Sequence, residues 1–336
     1  MSGGRRATRR SVLGGLSALA LSACAAPRRV ALGGGEGDGA AEPRGGIGGT
    51  GISPDATVGV IGTLTGFGSL RVNGLVLRTD ARSAVSPLGE IALAPGHVVE
   101  AAAAETGAGL AARALAAEIA LAGPVTRAPA REALQVAGVE VLLETGAPLP
   151  PGGAAIGDRV AVSGLWRGEV LVASRVDPAP SGAPDLVSGV ARRGGDGALQ
   201  VGGVALAEPG SVQPERYAVV SGRWTPGLGL AAEAVRLDRP ILRAGLRRLS
   251  AEGYLVRDAA GGYAVSGLGA ELDPGARIDR LSAGRAVFIG RLEGREGGRF
   301  RVEHGIPLPE GASSRSFALG RIGDGLAPSV GAVETR

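Results

Sequence analysis

The stretch from Val60 to Asp80 reads VIGTLTGFGSLRVNGLVLRTD, and its residue types decide the fold. Apolar residues alternate with small or polar ones, and Asn73-Gly74 is a pair that tolerates positive φ. The pattern therefore predicts two short strands joined by a tight hairpin turn. Outward from it the chain continues with HVVEAAAAE from His97, a glycine turn, and LAARALAAE from Leu110. Five short strands in about 60 residues bury a core only by curling up, because a flat sheet of that size leaves one face and two edges bare. The expected fold is all-β, built from small five-stranded barrels, OB-like or SH3-like.

The same pattern returns three more times. Val72-Asn73-Gly74 is matched by Val136-Ala137-Gly138, Val201-Gly202-Gly203 and Val265-Ser266-Gly267, at intervals of 64, 65 and 64 residues. An early first-strand glycine recurs at Gly62, Gly123, Gly189 and Gly253. Fourth-strand patterns begin at Gly96, Gly157, Glu215 and Gly284, and last strands at Leu110, Leu171, Leu230 and Phe300. Four markers in one order at one period define a tandem array. The resulting layout is a signal segment at 1–23, a Gly-rich tether at 24–57, and repeats at 58–120, 121–178, 185–239 and 250–309. PAPSGAP (Pro178 to Pro184) is expected to form an extended linker across 179–184 with few contacts crossing it. RPILRAGLRRL (Arg239 to Leu249) reads as a short helix or packed connector over 240–249, its four Arg in solvent. The tail, 310–336, lacks the repeat markers and is expected to be disordered.

All 36 basic residues are Arg, and four of them (Arg5, Arg6, Arg9, Arg10) precede residue 24 with no acid among them. The remainder carries 32 Arg against 32 Asp plus Glu, so the high isoelectric point is no signature of a nucleic-acid partner. Aromatic residues are few and fall at different places in each repeat, which supplies no base-stacking platform. Trp166 and Trp224 share one place, shortly after a Ser-Gly pair, and are expected to pack. No nucleic acid is expected among the partners.

Arg9 and Arg10, the apolar run Val12 to Ala23, and then Cys24 have the layout of an export signal, too short to span a bilayer. Leu21-Ser22-Ala23-Cys24 resembles a bacterial lipobox, which implies cleavage before Cys24, a diacylglyceryl group on its thiol and attachment to the membrane through that lipid. An ordinary cleaved signal with an incidental cysteine is the alternative. Thr8-Arg9-Arg10-Ser11-Val12-Leu13 is similar to a twin-arginine export motif, with Val12 where that family usually has Phe. Cys24 is the single cysteine, so no intramolecular disulfide forms. Ala25 is not the Asp that typically retains lipoproteins at the inner membrane, which favours the periplasmic face of the outer membrane.

GTLTGFGSLRVNGLVLRTD, preceded by the glycine tether GGIGGTGI, resembles the bacterial "domain of unknown function 5666" family, best over residues 59–120. The resemblance implies a β-rich, exported repeat protein. It transfers no catalytic residue.

Signals for chemistry are weak. Thr106-Gly107-Ala108-Gly109 followed by LAARALAAE imitates a dinucleotide loop opening a helix. The sibling repeats have hairpin turns there, so a hairpin is expected and no cofactor. His97 and His304 lie in different repeats, and the marker strings set Asp158, Arg216 and Arg285 at the place of His97, which suggests an exposed position. No G-x-S-x-G or H-E-x-x-H motif occurs, so no catalytic and no metal-ligating residue is assigned. The expected function is a lipid-anchored envelope binding or scaffold protein for a protein, peptide or glycan, without catalysis. The alternatives are a glycan-active enzyme with carboxylates meeting at a repeat interface, or a purely structural spacer. Two carboxylates in one cleft, one in an apolar setting, would favour the enzyme.

Overall fold

β1 (Val58–Gly66), β2 (Leu70–Val72) and β3 (Leu75–Arg78) run through the quoted stretch, and Asn73 and Gly74 turn β2 into β3 with φ of 54° and 75°. The structure is a computed structural model that describes residues 55–130, 132–243, 245–257, 262–270, 272–273, 284–293, 299–308, 318–322 and 325–329. The signal segment, Cys24 and nearly all of the tether lie outside the described residues. Repeat 1 continues with a short hairpin, β4 (Ser83–Ser86) and β5 (Gly89–Ala92), then β6 (Val98–Thr106) and β7 (Gly109–Glu118). β1 pairs with β2, β2 with β3, β3 in parallel with β7, β7 with β6, and β6 with β1, so the circuit closes. This is a Greek-key order, and of the two expected barrel types it is the OB-like one. The Thr106 to Gly109 segment is a hairpin turn between β6 and β7, as the sibling repeats predict.

Repeat 2 repeats the circuit with β8 (Leu121–Ala130), β9 (Ala133–Val136), β10 (Val139–Leu143), β11 (Arg159–Arg167) and β12 (Val170–Pro178). Repeat 3 does so with β13 (Asp185–Arg193), β14 (Leu199–Val201), β15 (Val204–Glu208), β16 (Tyr217–Thr225) and β17 (Gly229–Leu237). After the single helical turn α1 (Pro240–Arg243), repeat 4 supplies β18 (Arg248–Arg257), β19 (Tyr263–Val265), β20 (Arg285–Glu293) and β21 (Arg299–Pro307). One parallel contact recurs in all four: Leu77–Leu110, Val141–Leu171, Leu206–Leu230 and Leu272–Phe300. The described residues thus form a tandem array of small barrels, each closed by the five-strand circuit in repeats 1 to 3, with four strands and this bridge described in repeat 4.

The last two strands of each barrel slip register at one point, at Ala102/Ala103, Ser163/Gly164, Ser221/Gly222 and Ile289/Gly290. A Cβ at Gly222 or Gly290 would lie 1.9 Å from the carbonyl oxygen of Ala231 or Arg301. These glycines permit the bulge that bends the strand around the barrel.

The barrels merge in pairs. β1 runs parallel to β18, joining repeats 1 and 4 in an 11-stranded sheet; β8 runs antiparallel to β13, joining repeats 2 and 3 in a 10-stranded sheet. The core of repeats 2 and 3 is continuous, from Leu134 and Val162 to Val201 and Val220. The expectation that few contacts cross Pro178 to Pro184 is therefore corrected. The segment is a turn, with Ala183 N–H donating to Pro180 O at 3.0 Å and Arg159 reaching Ala183 O at 3.0 Å. The connector is packed, with Ile241, Leu242 and Leu246 in the core of repeat 4. Its Arg239 is buried rather than solvated, because Glu100 and Glu118 of repeat 1 face it. Within the tail, expected to be disordered, β22 (Ala318–Ile322) and β23 (Gly325–Ser329) form an antiparallel hairpin.

A candidate binding cleft where three segments meet

Glu100 lies on β6 at a position whose equivalents are Ala161, Val219 and Val287, each opposite the residue before the early glycine. Those three are buried and apolar, so Glu100 puts a carboxylate where the barrel pattern wants a hydrocarbon. Glu118, at the end of β7, stands beside it. Arg239 enters from the connector and answers both. Its Nη1 donates to Glu100 Oε1 and to Glu118 Oε2 at 2.7 Å, while Nη2 donates to Glu118 Oε1 at 2.9 Å and to Gly267 O at 2.8 Å. Tyr217 of repeat 3 donates its hydroxyl to Glu118 Oε1 at 3.2 Å, and its ring lies under the guanidinium, 4.1 Å from the centroid.

Burial pushes the Glu100 carboxyl above its ordinary value, with Arg239 opposing and Glu118 reinforcing the shift. Burial also raises the Tyr217 phenol. The carboxylates together outweigh desolvation for Arg239 and hold it charged. The cluster borders a cleft of about 210 Å³. One wall is the β4 turn (Val85, Ser86, Pro87), the floor is β7 (Ala114 to Ala117), and the far side is Pro240, Ile241 and Arg236. Repeat 1, repeat 3 and the connector all contribute, so the cleft exists only in the assembled chain.

Two more polar clusters join the repeats. Arg285 of repeat 4 donates through Nε to Glu252 Oε1 at 2.7 Å, through Nη2 to Thr63 Oγ1 of repeat 1 at 3.0 Å, and through Nη1 to Glu144 of repeat 2. Burial raises the Glu144 carboxyl against the pull of Arg285. His97 of repeat 1, expected to be exposed, is 3% exposed. Ala94 N–H donates to its Nδ1 at 3.0 Å, which leaves Nε2 to donate to Asp177 Oδ2 of repeat 2 at 2.9 Å. Burial alone would raise Asp177, but hydrogen bonds from His97 and Arg175 outweigh it and hold the carboxyl below its ordinary value. Strand register also sets Gly284, not Arg285, at the place of His97, and Arg285 at that of Val98, Arg159 and Tyr217. His304 is exposed, as expected.

None of Glu100, Glu118, Tyr217 and Arg239 stood out as a site residue in the sequence. The readable signal is the lone acid in an apolar column, which marks Glu100 once the repeats are aligned by the early glycine. Arg9, Arg10, Leu21, Ser22, Ala23 and Cys24 lie outside the described residues. Among the described residues no group of three His, Cys, Asp or Glu side chains could hold a metal ion, and no helix is long and apolar enough to cross a membrane. Compared with models of known families, with curated proteins and with solved structures, the chain matches none.

Proposed function

We propose that the chain is a lipid-anchored binding protein of the bacterial envelope, and that the cleft beside Glu100 is its ligand seat. The observation that carries this reading is the construction of the cleft: segments more than a hundred residues apart converge on a concave apolar floor with a few fixed polar groups at one end. Ligand seats have that composition. The buried polar clusters hold the barrels in one arrangement, so the cleft is pre-formed, and a pre-formed seat loses less entropy on binding.

Two carboxylates in one cleft, with Glu100 pushed up by burial, meet the condition set for an enzyme. The position of Arg239 argues against it. Glycan hydrolysis needs its two carboxyl groups on opposite sides of the scissile bond, with a sugar between them. Here one nitrogen, Arg239 Nη1, donates to both carboxylates, and the guanidinium fills the space that the substrate would need. Holding a ligand is the reading this arrangement favours.

Anchorage through lipid on Cys24, export by the general or twin-arginine route, and the resemblance to the "domain of unknown function 5666" repeats complete the proposal. The partner is an envelope protein, peptide or glycan at the periplasmic face of the outer membrane. Ala116 is exposed on the cleft floor, so Ala116→Trp fills the seat without touching the core. Loss of a partner captured from envelope extract by wild type, at unchanged melting temperature, is the expected result. Undiminished capture would remove the cleft from the proposal.

A further inference from the structure

Most polar groups around the cleft are spent on one another, and two are not. Glu118 is fully engaged: Oε1 accepts from Arg239 Nη2 at 2.9 Å and from the Tyr217 hydroxyl at 3.2 Å, and Oε2 accepts from Arg239 Nη1 at 2.7 Å. Ser86 on the wall donates its hydroxyl to Gly89 O at 2.8 Å and accepts from Leu88 N–H at 3.2 Å. Glu100 gives only Oε1 to Arg239. Its Oε2 accepts from no group among the described residues, and it is not sealed off, although the side chain is only 12% exposed. On the far side of the cleft Arg236 is exposed on β17 and pairs with no carboxylate among the described residues.

The two free groups carry opposite charge. Against the burial that raises the Glu100 carboxyl, Arg239 pulls it down and Arg236 adds a smaller pull, so Arg236 acts on the carboxylate without bonding to it. A ligand with only a cationic group would suit Glu100 and be repelled by Arg236, and one with only an anionic group would meet the reverse. A purely apolar ligand would cover Glu100 Oε2 and leave it unpaired, which costs free energy. A molecule with an ammonium group and a carboxylate satisfies both. The rest of the lining is hydrocarbon, with Ala114, Leu115 and Ala116 below and Val85, Pro87 and Ile241 at the sides. At about 210 Å³ the cleft is smaller than the roughly 300–1,000 Å³ of pockets that take drug-sized ligands, so its occupant is small.

We propose that the seat takes an apolar α-amino acid of about the size of leucine. Glu100 Oε2 accepts from its ammonium group, Arg236 donates to its carboxylate, and its side chain lies on the alanines of β7. This rests on the reading of the cleft as a ligand seat, and of the partners named there it selects the peptide class in its smallest form.

Titration calorimetry on the soluble Cys24→Ser chain compares L-leucine with 3-methylbutylamine, which lacks the carboxylate, and with 4-methylpentanoate, which lacks the ammonium group. Each omission leaves one charged group of the seat unpaired, so leucine should bind at least about tenfold more tightly than either. Arg236→Ser should abolish the preference for leucine over the amine at an unchanged melting temperature, and Glu100→Gln should abolish its preference over 4-methylpentanoate. Should Glu100→Gln lower the melting temperature, Arg236→Ser decides. No heat with millimolar leucine, or equal binding of leucine and the amine, overturns the proposal, as does leucine binding that survives Ala116→Trp. If wild type ignores leucine while Ala116→Trp still abolishes capture of an envelope partner, the amino acid is ruled out and the ligand seat stands.

Discussion

Leu121 and Val187 face one another across the antiparallel pair β8–β13, and they are the same residue of two repeats, each two positions before the early glycine. A strand that pairs with its own equivalent in this way makes a two-fold contact, the geometry by which identical subunits close a dimer. Repeats 2 and 3 are therefore related as two protomers would be, with one core between them. Repeats 1 and 4 are joined otherwise, through parallel strands, with the side-chain amide of Asn73 donating to Ser250 O at 3.2 Å across the join.

A cut in the exposed turn at Pro178 to Pro184 is expected not to separate the chain into halves. Pro180, Ser181 and Gly182 are open to a protease, yet the 10-stranded sheet spans the site and repeat 4 pairs back onto repeat 1. Two fragments should appear on a denaturing gel while the nicked protein elutes as a single species near the intact size. Separate elution of the two halves under native conditions would contradict the paired-sheet arrangement.

Arg239→Met should cost about 3–5 kcal/mol, because it leaves Glu118 and Glu100 buried without their counter-charge. Replacing the whole cluster, Arg239→Met with Glu100→Gln and Glu118→Gln, should recover most of that loss, since no uncompensated charge remains. Urea denaturation of the single and triple variants checks both figures. A triple variant as unstable as the single one would mean that Arg239 acts through its packing on Tyr217.

Glu100 and Asp177 should give opposite pH slopes. The folded Glu100 carboxyl sits above its ordinary value of 4.5, raised by burial, so its contribution is present below that value and is lost as pH rises through the folded one. Glu100→Gln should accordingly gain stability relative to wild type as pH rises. Asp177 in the fold sits below its ordinary value of 3.8, held there by His97 and Arg175 against burial. Its contribution is present above 3.8 and is lost as pH falls through the folded value. Asp177→Asn should therefore cost stability near neutrality and progressively less in acid. Thermal melts of both variants between pH 3 and about 8 test the signs, and parallel slopes would refute the assignment.

The barrels were legible because everything that makes them is local: the Asn-Gly turn, the alternation along β2 and β3, and a period that set Thr106 to Gly109 beside sibling hairpins although its alanines favour helix. The pairing of repeats was not legible. β1, β8, β13 and β18 carry the same apolar pattern, and nothing in a single repeat says which neighbour its first strand will meet. The burial of His97 and Arg239 is hidden for the same reason. Each is polar within its own segment, and each is covered by a group that lies 80 or 121 residues away, Asp177 and Glu118. Glu100 was the exception that alignment could have found, since its three equivalents are apolar.

The loop after the third strand varies most between the repeats, and in repeat 1, where it runs from Ser83 to Pro95, the fold gives that variation a place. It forms the β4–β5 hairpin, which pairs with β7 at Val85–Ala116 and puts Val85, Ser86 and Pro87 on the wall of the cleft. Exchanging it for the repeat 3 loop, Ala207 to Pro214, would remove that wall, but it would also remove Ala84 and Leu93 from the core of repeat 1. Burying a Leu side chain is worth about 1.5–3 kcal/mol, so the full exchange mixes lost recognition with lost stability. Val85→Glu separates the two. Val85 is 67% exposed, and a substitution at such a site should change stability by no more than about 0.5 kcal/mol. A carboxylate there stands at the mouth of the cleft, where it meets any apolar group that enters. Capture of the envelope partner should fall sharply with Val85→Glu and remain with Val76→Glu, a control at another exposed valine outside the cleft lining. Equal capture by both variants would place recognition on another face of the molecule, whatever the full exchange does.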